Sequence, residues 1–147
     1  MAENLEEIEV TLIDEKVQFS GVSKNHPELP VIFDYKAPMG NGQGFNGLEL
    51  LLMSLSGCSA TAVVYLLRKM KKNIASFKVK AQGIRSTEMP IKFDLIRLTF
   101  IVESDNTNDT ELNRSIQMAE ESICPVWQMI KNNVKVETEF SILWLNW

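Results

Sequence analysis

The 147-residue sequence has few of the residues that a metal site needs. It contains one histidine and two cysteines, and Cys58 and Cys124 stand 66 positions apart. Structural zinc sites take four cysteine or histidine ligands at short, paired spacings. His26 precedes Pro27, and we interpret it as an exposed loop residue. The sequence therefore predicts no metal site, and we expect no other cofactor.

The sequence also lacks the usual signals for export and for nucleic-acid binding. The first seven residues are acidic and have no apolar core region, so we do not expect a secretory signal. We expect a cytoplasmic protein, in a reducing compartment where cysteines are more often catalytic or redox-sensing than structural staples. The net charge is −4 and no basic stripe with interleaved aromatic residues occurs, so nucleic acid is not an expected partner.

One long run of residues carries no charge. It extends over 18 residues from Leu50 to Leu67, the lower length for a membrane-spanning helix. Ser54, Gly57 and Thr61 interrupt its apolar character, and strand patterns lie on both sides. A helix that is apolar on all sides is otherwise buried in a protein core. We therefore predict a buried core helix and no membrane association.

Hydrophobic periodicity predicts the element order βββ-α-ββ-α-β. We place the elements at Ile8–Ile13, Lys16–Val22, Val31–Tyr35, Gly47–Lys72, Ser76–Arg85, Lys92–Glu103, a helix from about residue 110 to Lys131, and Val134–Leu143. Pro27 and Pro30 mark a connection, and the strand from Lys92 has apolar residues on both faces, so we expect both to be covered. Neighbouring strands favour an α+β fold over a doubly wound parallel sheet. No linker or repeat interrupts the chain, so we predict a single domain, residues 1–147.

A glycine-rich segment precedes the long helix. Residues 42–47 match the pattern G-x-G-x-x-G, but no strand leads directly into them and no acidic residue ends a following strand. We therefore interpret them as a flexible loop and not as a nucleotide site. Asn46 and Glu49 have the spacing of a capping box, which predicts the start of the helix.

Cys58 lies within the long helix, next to Gly57 and to the small hydroxylated residues Ser56 and Ser59. We expect these hydroxyls to offer hydrogen-bond donors to the sulfur. Glycine costs about 1 kcal/mol more than alanine in mid-helix, so Gly57 predicts a helix break or a close approach of another backbone. A break would place Cys58 at the positive end of a new helical segment, which favours a thiolate. The alternative is an inert core cysteine.

Cys124 directly precedes Pro125 within the second helix pattern. Proline removes one helical hydrogen bond and clashes with the preceding turn, so the helix must kink or restart there. A restart with Pro125 at the first position would place Cys124 at a helix N-terminus. The alternative is a buried cysteine beside an irregular turn.

Two segments resemble known motifs. Residues 47–60, GLELLLMSLSGCSA, resemble the "P-x-E-L-L…A…C" segment of the OsmC/Ohr family, although Gly47 stands where proline is frequent. Residues 123–126, ICPV, resemble the second motif of that family, and the element order agrees from Ile8 to Leu143. The sequence looks closer to an OsmC-like branch than to the main hydroperoxide reductases.

This resemblance implies thiol-dependent reduction of organic hydroperoxides. Cys58 would be the attacking thiol that becomes a sulfenic acid, Cys124 would resolve it to a disulfide, and Glu49 would position a cationic side chain. An external dithiol would restore both thiols. The resemblance also implies an intertwined homodimer with sites near its interface.

The sequence departs from the family in the cationic residue that would stabilise the thiolate. The hydroperoxide reductases carry an arginine near the N-terminus, and here the first arginine is Arg68. We predict that Arg85 stabilises the thiolate instead, with Lys24 as the alternative. In an unbroken helix Glu49 would lie opposite Cys58, so one site could use both only through a break near Gly57 or a second chain. Two other functions stay open: a non-enzymatic redox sensor or ligand-binding protein, and a dimeric structural protein with buried cysteines.

Overall fold

The computed structural model describes residues 4–144. The fold is α+β, as predicted, and the chain divides into two compact units on either side of the Leu50–Leu51 bond. The elements are β1 Ile8–Leu12, β2 Phe19–Ser23, β3 His26–Phe33, α1 Gly47–Lys69, β4 Ser76–Arg85, β5 Phe93–Ser104, α2 Asp109–Met118, a π-helical turn Ala119–Ile123, α3 Pro125–Ile130 and β6 Lys135–Trp144.

The first unit contains an antiparallel sheet with the strand order β1-β2-β3. The predicted connection at Pro27 and Pro30 is wrong, because both prolines lie within β3, and His26 begins that strand instead of lying in a loop. β3 pairs only with β2 in this sheet, and an edge strand tolerates proline because one side of it needs no ladder donors.

The glycine-rich loop between β3 and α1 is held by the buried carboxylate of Asp34. This carboxylate accepts hydrogen bonds from the backbone N–H groups of Tyr35, Asn41 and Gln43, at 2.7, 3.3 and 3.0 Å. The bond from Gln43 is the main cause that lowers the pKa of Asp34. Gly42 has a φ of 68°, a conformation that suits glycine. The predicted flexible loop is therefore an ordered one, fastened by hydrogen bonds.

Helix α1 begins as predicted and does not break. The Asn46 side chain accepts from the Glu49 N–H at 2.9 Å, and the Glu49 carboxylate accepts from the Asn46 N–H at 3.3 Å, which completes the capping box. The helix continues through Gly57, where an added Cβ would meet nothing within 4 Å. The predicted break is therefore wrong, and within the described residues of this chain no other backbone approaches Gly57. A helix of 23 residues absorbs the small cost of one glycine.

Only one side of α1 is buried in the single chain, which corrects the prediction of a fully buried helix. Its buried residues are Leu55, Ser59, Ala62, Val63 and Leu67. Met53 and Tyr65 remain 48% and 58% exposed. Among the described helices, α1 is the one long and apolar enough to cross a membrane by length and composition, a test that core helices also pass.

The second unit is built around a sheet with the order β4-β5-β6, in which β5 pairs antiparallel with β4 and parallel with β6. The inner face of β5 is buried, through Ile96, Leu98, Phe100 and Val102. Most of its other face is only half-buried, so a single chain covers one face of β5 fully and the other in part. Trp127 stacks on Phe100 with ring centroids 6.5 Å apart, which ties α3 to the sheet.

Candidate thiol site

The two cysteines lie in the second unit and line the same pocket. Cys58 is half-buried on α1, and Cys124 is fully buried at the start of α3. The pocket has a volume of about 400 Å³, and its other lining residues are Thr61, Ala62, Tyr65, Ile123 and Pro125. None of these lining side chains is charged. The structure therefore brings together the two thiols that the sequence analysis selected, in an apolar setting.

The chain around Cys124 restarts its helix as predicted. Cys124 has an extended backbone conformation and is the N-cap of α3, with Pro125 in the first turn. Its sulfur accepts a hydrogen bond from the Trp127 N–H at 3.4 Å. Proline suits this position because its missing N–H would have no partner in the first turn of a helix. Cys124 is thus held by the local backbone and by burial.

Burial raises the pKa of the Cys124 thiol from 9.0 to about 11. The neighbouring Cys58 side chain and its charge act in the same direction. Backbone N–H groups of Trp127 and Val126 oppose this shift, because they donate to the sulfur. The balance keeps a proton on the Cys124 thiol at neutral pH.

The hydroxyl groups near Cys58 do not serve the sulfur as expected. The Ser59 hydroxyl donates to the Ser56 carbonyl at 3.1 Å, and the Thr61 hydroxyl donates to the Gly57 carbonyl at 2.7 Å. Each hydroxyl has one proton to donate, so both are used by the backbone of α1. The buried Ser56 hydroxyl has no hydrogen-bond partner among the described residues, so none of the three donates to Cys58.

The other predicted site residues lie away from this pocket. Glu49 caps the first turn of α1 and belongs to the first unit. Because α1 is unbroken, the nine residues from Glu49 to Cys58 turn it by about 900°, and the two side chains point to opposite sides. A single chain does not bring them together.

Neither candidate cation lines the thiol pocket. Arg85 is exposed at the end of β4, next to a register shift in its pairing with β5. Lys24 lies in the first unit and forms an ion pair with Glu7 at 3.3 Å, with its side chain 75% exposed. Among residues 4–144 no cluster of three or more His, Cys, Asp or Glu side chains could hold a metal ion.

Tyr65 lines the pocket and was not among the residues predicted from the sequence. It lies seven residues after Cys58, and residues seven apart share one face of a helix. The Lys69 ammonium group lies 5.8 Å from the centre of the Tyr65 ring, within the range of a cation–π contact. The seven-residue spacing between Cys58 and Tyr65 could have indicated this residue. It points to a shared pocket only when Cys58 is already known to line one.

The second unit of this α+β chain thus has one pocket that both of its cysteines line. The chain belongs to the OsmC-like family, because the sequence model described as "OsmC-like protein" matches residues 40–139. It is also 30% identical to Protein YhfA of Escherichia coli strain K12 over 96 residues, which are 65% of this chain and 72% of that protein.

Solved structures share the fold over nearly the whole length. A hypothetical protein from Aquifex aeolicus VF5 superposes with a TM-score of 0.84 at 21% identity, covering 97% of this chain and 99% of that one. An organic hydroperoxide resistance protein from Elizabethkingia anophelis superposes with a TM-score of 0.70 at 17% identity, covering 96% and 99%. At these identities the likeness establishes the fold alone.

Proposed function

We propose that the protein reduces organic hydroperoxides, with Cys58 as the attacking thiol and Cys124 as the resolving thiol. The observation that carries this proposal is the shared pocket, which a half-buried cysteine and a fully buried one line together. Membership of the OsmC-like family and fold neighbours named as organic hydroperoxide resistance proteins support the same chemistry.

The two roles follow from burial and protonation. A nucleophile must be reached by the substrate, and Cys58 is the more exposed of the two thiols. With a pKa of about 11, Cys124 is protonated in all but about one molecule in ten thousand at pH 7. Its S–H therefore serves as a donor that stabilises negative charge on Cys58. This donor would supply part of the stabilisation of the thiolate that the family resemblance assigns to an arginine.

The first step forms a sulfur–oxygen bond. The Cys58 thiolate attacks the terminal oxygen of R–O–O–H, the O–O bond breaks, and the alkoxide leaves with a proton as R–OH. Cys58 becomes a sulfenic acid, and the hydroperoxide is reduced by two electrons. The apolar lining from Ala62, Ile123 and Pro125 suits an alkyl or aryl R group better than a bare hydroxyl, which supports organic hydroperoxides as the substrate class.

The second step forms the disulfide. Once Cys58 is a neutral sulfenic acid, its charge no longer opposes ionisation of Cys124, although burial, the largest cause, still raises the pKa of that thiol. The Cys124 sulfur attacks the Cys58 sulfur, and the hydroxyl leaves as water. An external dithiol then reduces the disulfide by exchange and is itself oxidised. Oxidation of Cys58 thus prepares Cys124 for the step that follows.

We further propose that the working form is a cytoplasmic homodimer. One face of the N-terminal sheet carries Ile8, Val10 and Leu12, which are 61%, 57% and 51% exposed. Val31 on β3 lies on the same face, because it pairs with Gly21, which pairs with Val10. A contiguous apolar face of this kind marks an interaction site. A second copy would also cover the exposed side of α1.

A second function is favoured by one observation. No charged side chain lines the pocket, and Arg85 and Lys24 lie outside it, so the thiolate has no cationic partner there. A weakly activated thiol pair would react slowly with oxidants and suit a redox sensor or a ligand-binding protein instead of an enzyme.

Catalytic turnover with a hydroperoxide distinguishes the peroxidase from the redox sensor. The test follows consumption of cumene hydroperoxide with a lipoyl-type dithiol as electron donor, for the parent protein, Cys58→Ser and Cys124→Ser. We expect catalytic turnover in the parent and none in Cys58→Ser. A single equivalent consumed without turnover, with Cys58 oxidised, would establish the sensor. Absence of any thiol oxidation would remove both functions.

A further inference from the structure

The backbone before Cys124 leaves one carbonyl without a helical partner. In an α-helix the carbonyl of Glu120 would accept from the Cys124 N–H, but that N–H donates instead to Ala119 at 2.9 Å, across the π-helical turn. A continued π-helix would offer the N–H of residue 125, and that residue is proline. The Glu120 carbonyl therefore loses both backbone partners at the point where the helix changes direction.

The side chain of Gln128 replaces the missing backbone donor. Its side-chain Nε2 donates to the Glu120 carbonyl at 2.5 Å, and its own backbone N–H donates to the Cys124 carbonyl at 3.1 Å. Gln128 thus joins the first turn of α3 to the π-helical turn across Cys124. Turns of π-helix occur often at functional sites, and here the turn ends at a thiol.

We propose that Gln128 is a positioning residue for the resolving thiol. By holding the Glu120 carbonyl, it fixes the break in the helix and keeps the Cys124 sulfur facing Cys58. It acts mainly on the rate at which the Cys58–Cys124 disulfide closes, because closure needs the Cys124 sulfur in line with the Cys58 sulfur, whereas attack by Cys58 needs only a nearby donor. This inference deepens the proposed function, but its test does not depend on peroxide chemistry.

The test uses an aromatic disulfide, 5,5′-dithiobis(2-nitrobenzoate), with the fully reduced protein at pH 8. The Cys58 thiolate attacks one sulfur of the reagent, forms a mixed disulfide and releases one thionitrobenzoate anion. Cys124 then attacks the Cys58 sulfur, loses its proton to solvent and expels a second thionitrobenzoate anion. Stopped-flow absorbance resolves the two releases, and Cys124→Ser, which can give only the first, assigns them.

Gln128→Met keeps the side-chain length and removes the donor. We expect its second release to be about two- to tenfold slower than in the parent, the range for one lost hydrogen bond, with the first release slowed by less. The matched control is Asn133→Ala, which removes the hydrogen bond from the Asn133 side chain to the Met129 carbonyl at 3.4 Å, at the other end of α3. Asn133→Ala should leave both releases unchanged.

Three results would overturn the inference: an unchanged second release in folded Gln128→Met, equal slowing of both releases, or the same slowing in Asn133→Ala. If Gln128→Met does not fold, Gln128→Glu gives the same test, because it keeps the shape and lacks the N–H donor at pH 8. Absence of a second release in the parent would also overturn it. Failure of hydroperoxide turnover with a slowed second release in Gln128→Met would remove the proposed function alone.

Discussion

Cys124 is fully buried and lines the same pocket of the second unit as the half-buried Cys58. Burial raises the pKa of the Cys124 thiol to about 11, so this thiol keeps its proton at neutral pH. Cys58 is the thiol that solvent and substrate can reach. The shared pocket also brings the two cysteines together for disulfide formation within one chain.

One equivalent of an organic hydroperoxide should link Cys58 to Cys124 within a single chain. Both thiols line one pocket of the second unit, so closure needs no partner chain. Mass spectrometry of non-reduced peptides measures the link, and mixing isotopically labelled with unlabelled protein distinguishes bonds within a chain from bonds between chains. Cys58 sulfinic acid as the main product would argue against resolution by Cys124.

The stability of the reduced protein should fall as the pH rises from about 9 to about 11. The Cys124 pKa is raised from 9.0 to about 11 in the folded state, so in this interval the unfolded chain releases a proton that the folded chain keeps. The loss approaches 2–3 kcal/mol, at about 1.4 kcal/mol per pKa unit. Urea unfolding of the parent and of Cys124→Ala measures it, since the variant lacks this group. Parallel curves for the two proteins would contradict the raised pKa.

What the sequence could predict depended on the size of each local effect. Pro125 lacks an N–H, so the restart at Cys124 was predictable. Gly57 costs only about 1 kcal/mol, which a long helix with a good N-cap and a buried stripe tolerates, so the predicted break was wrong. The capping box accounts for the Glu49 contacts seen within the chain. The hydrogen bonds of Asp34 and of the Gln128 side chain go to backbone groups that come together only on folding. No spacing pattern in the sequence predicts them.

Removing the Cys124 S–H should slow the reaction of Cys58 with iodoacetamide at pH 7. Cys124→Ala removes the donor, and Cys124→Ser replaces it with a hydroxyl that donates at least as well. We expect alkylation of Cys58 to slow by about three- to tenfold in Cys124→Ala, because a hydrogen bond to a charged group contributes more free energy than one between neutral groups. The slowing should be smaller in Cys124→Ser, which keeps a donor. Equal rates in the parent and Cys124→Ala would show that another group stabilises the thiolate.

Arg85→Met should slow Cys58 alkylation by about two- to fivefold at low ionic strength. Arg85 is exposed and does not line the pocket, so any effect on the thiolate acts over a distance through solvent. Such interactions are worth no more than about 1 kcal/mol and weaken with salt. Lys24→Met is the matched control, because Lys24 is also exposed but pairs with Glu7. A larger effect in Lys24→Met would assign the role to the lysine, and no effect in either would favour the weakly activated sensor.

The exposed apolar face of the N-terminal sheet should hold a dimer together. Val10 lies on this face and is 57% exposed in the single chain, whereas Thr11 points to the opposite face of β1. Val10→Asp should weaken association by at least tenfold, because a carboxylate would lose its water in an apolar interface. Thr11→Asp places the same charge one residue away and should leave association unchanged. Sedimentation velocity at micromolar concentration measures both, and a folded parent monomer would remove the dimer from the proposal.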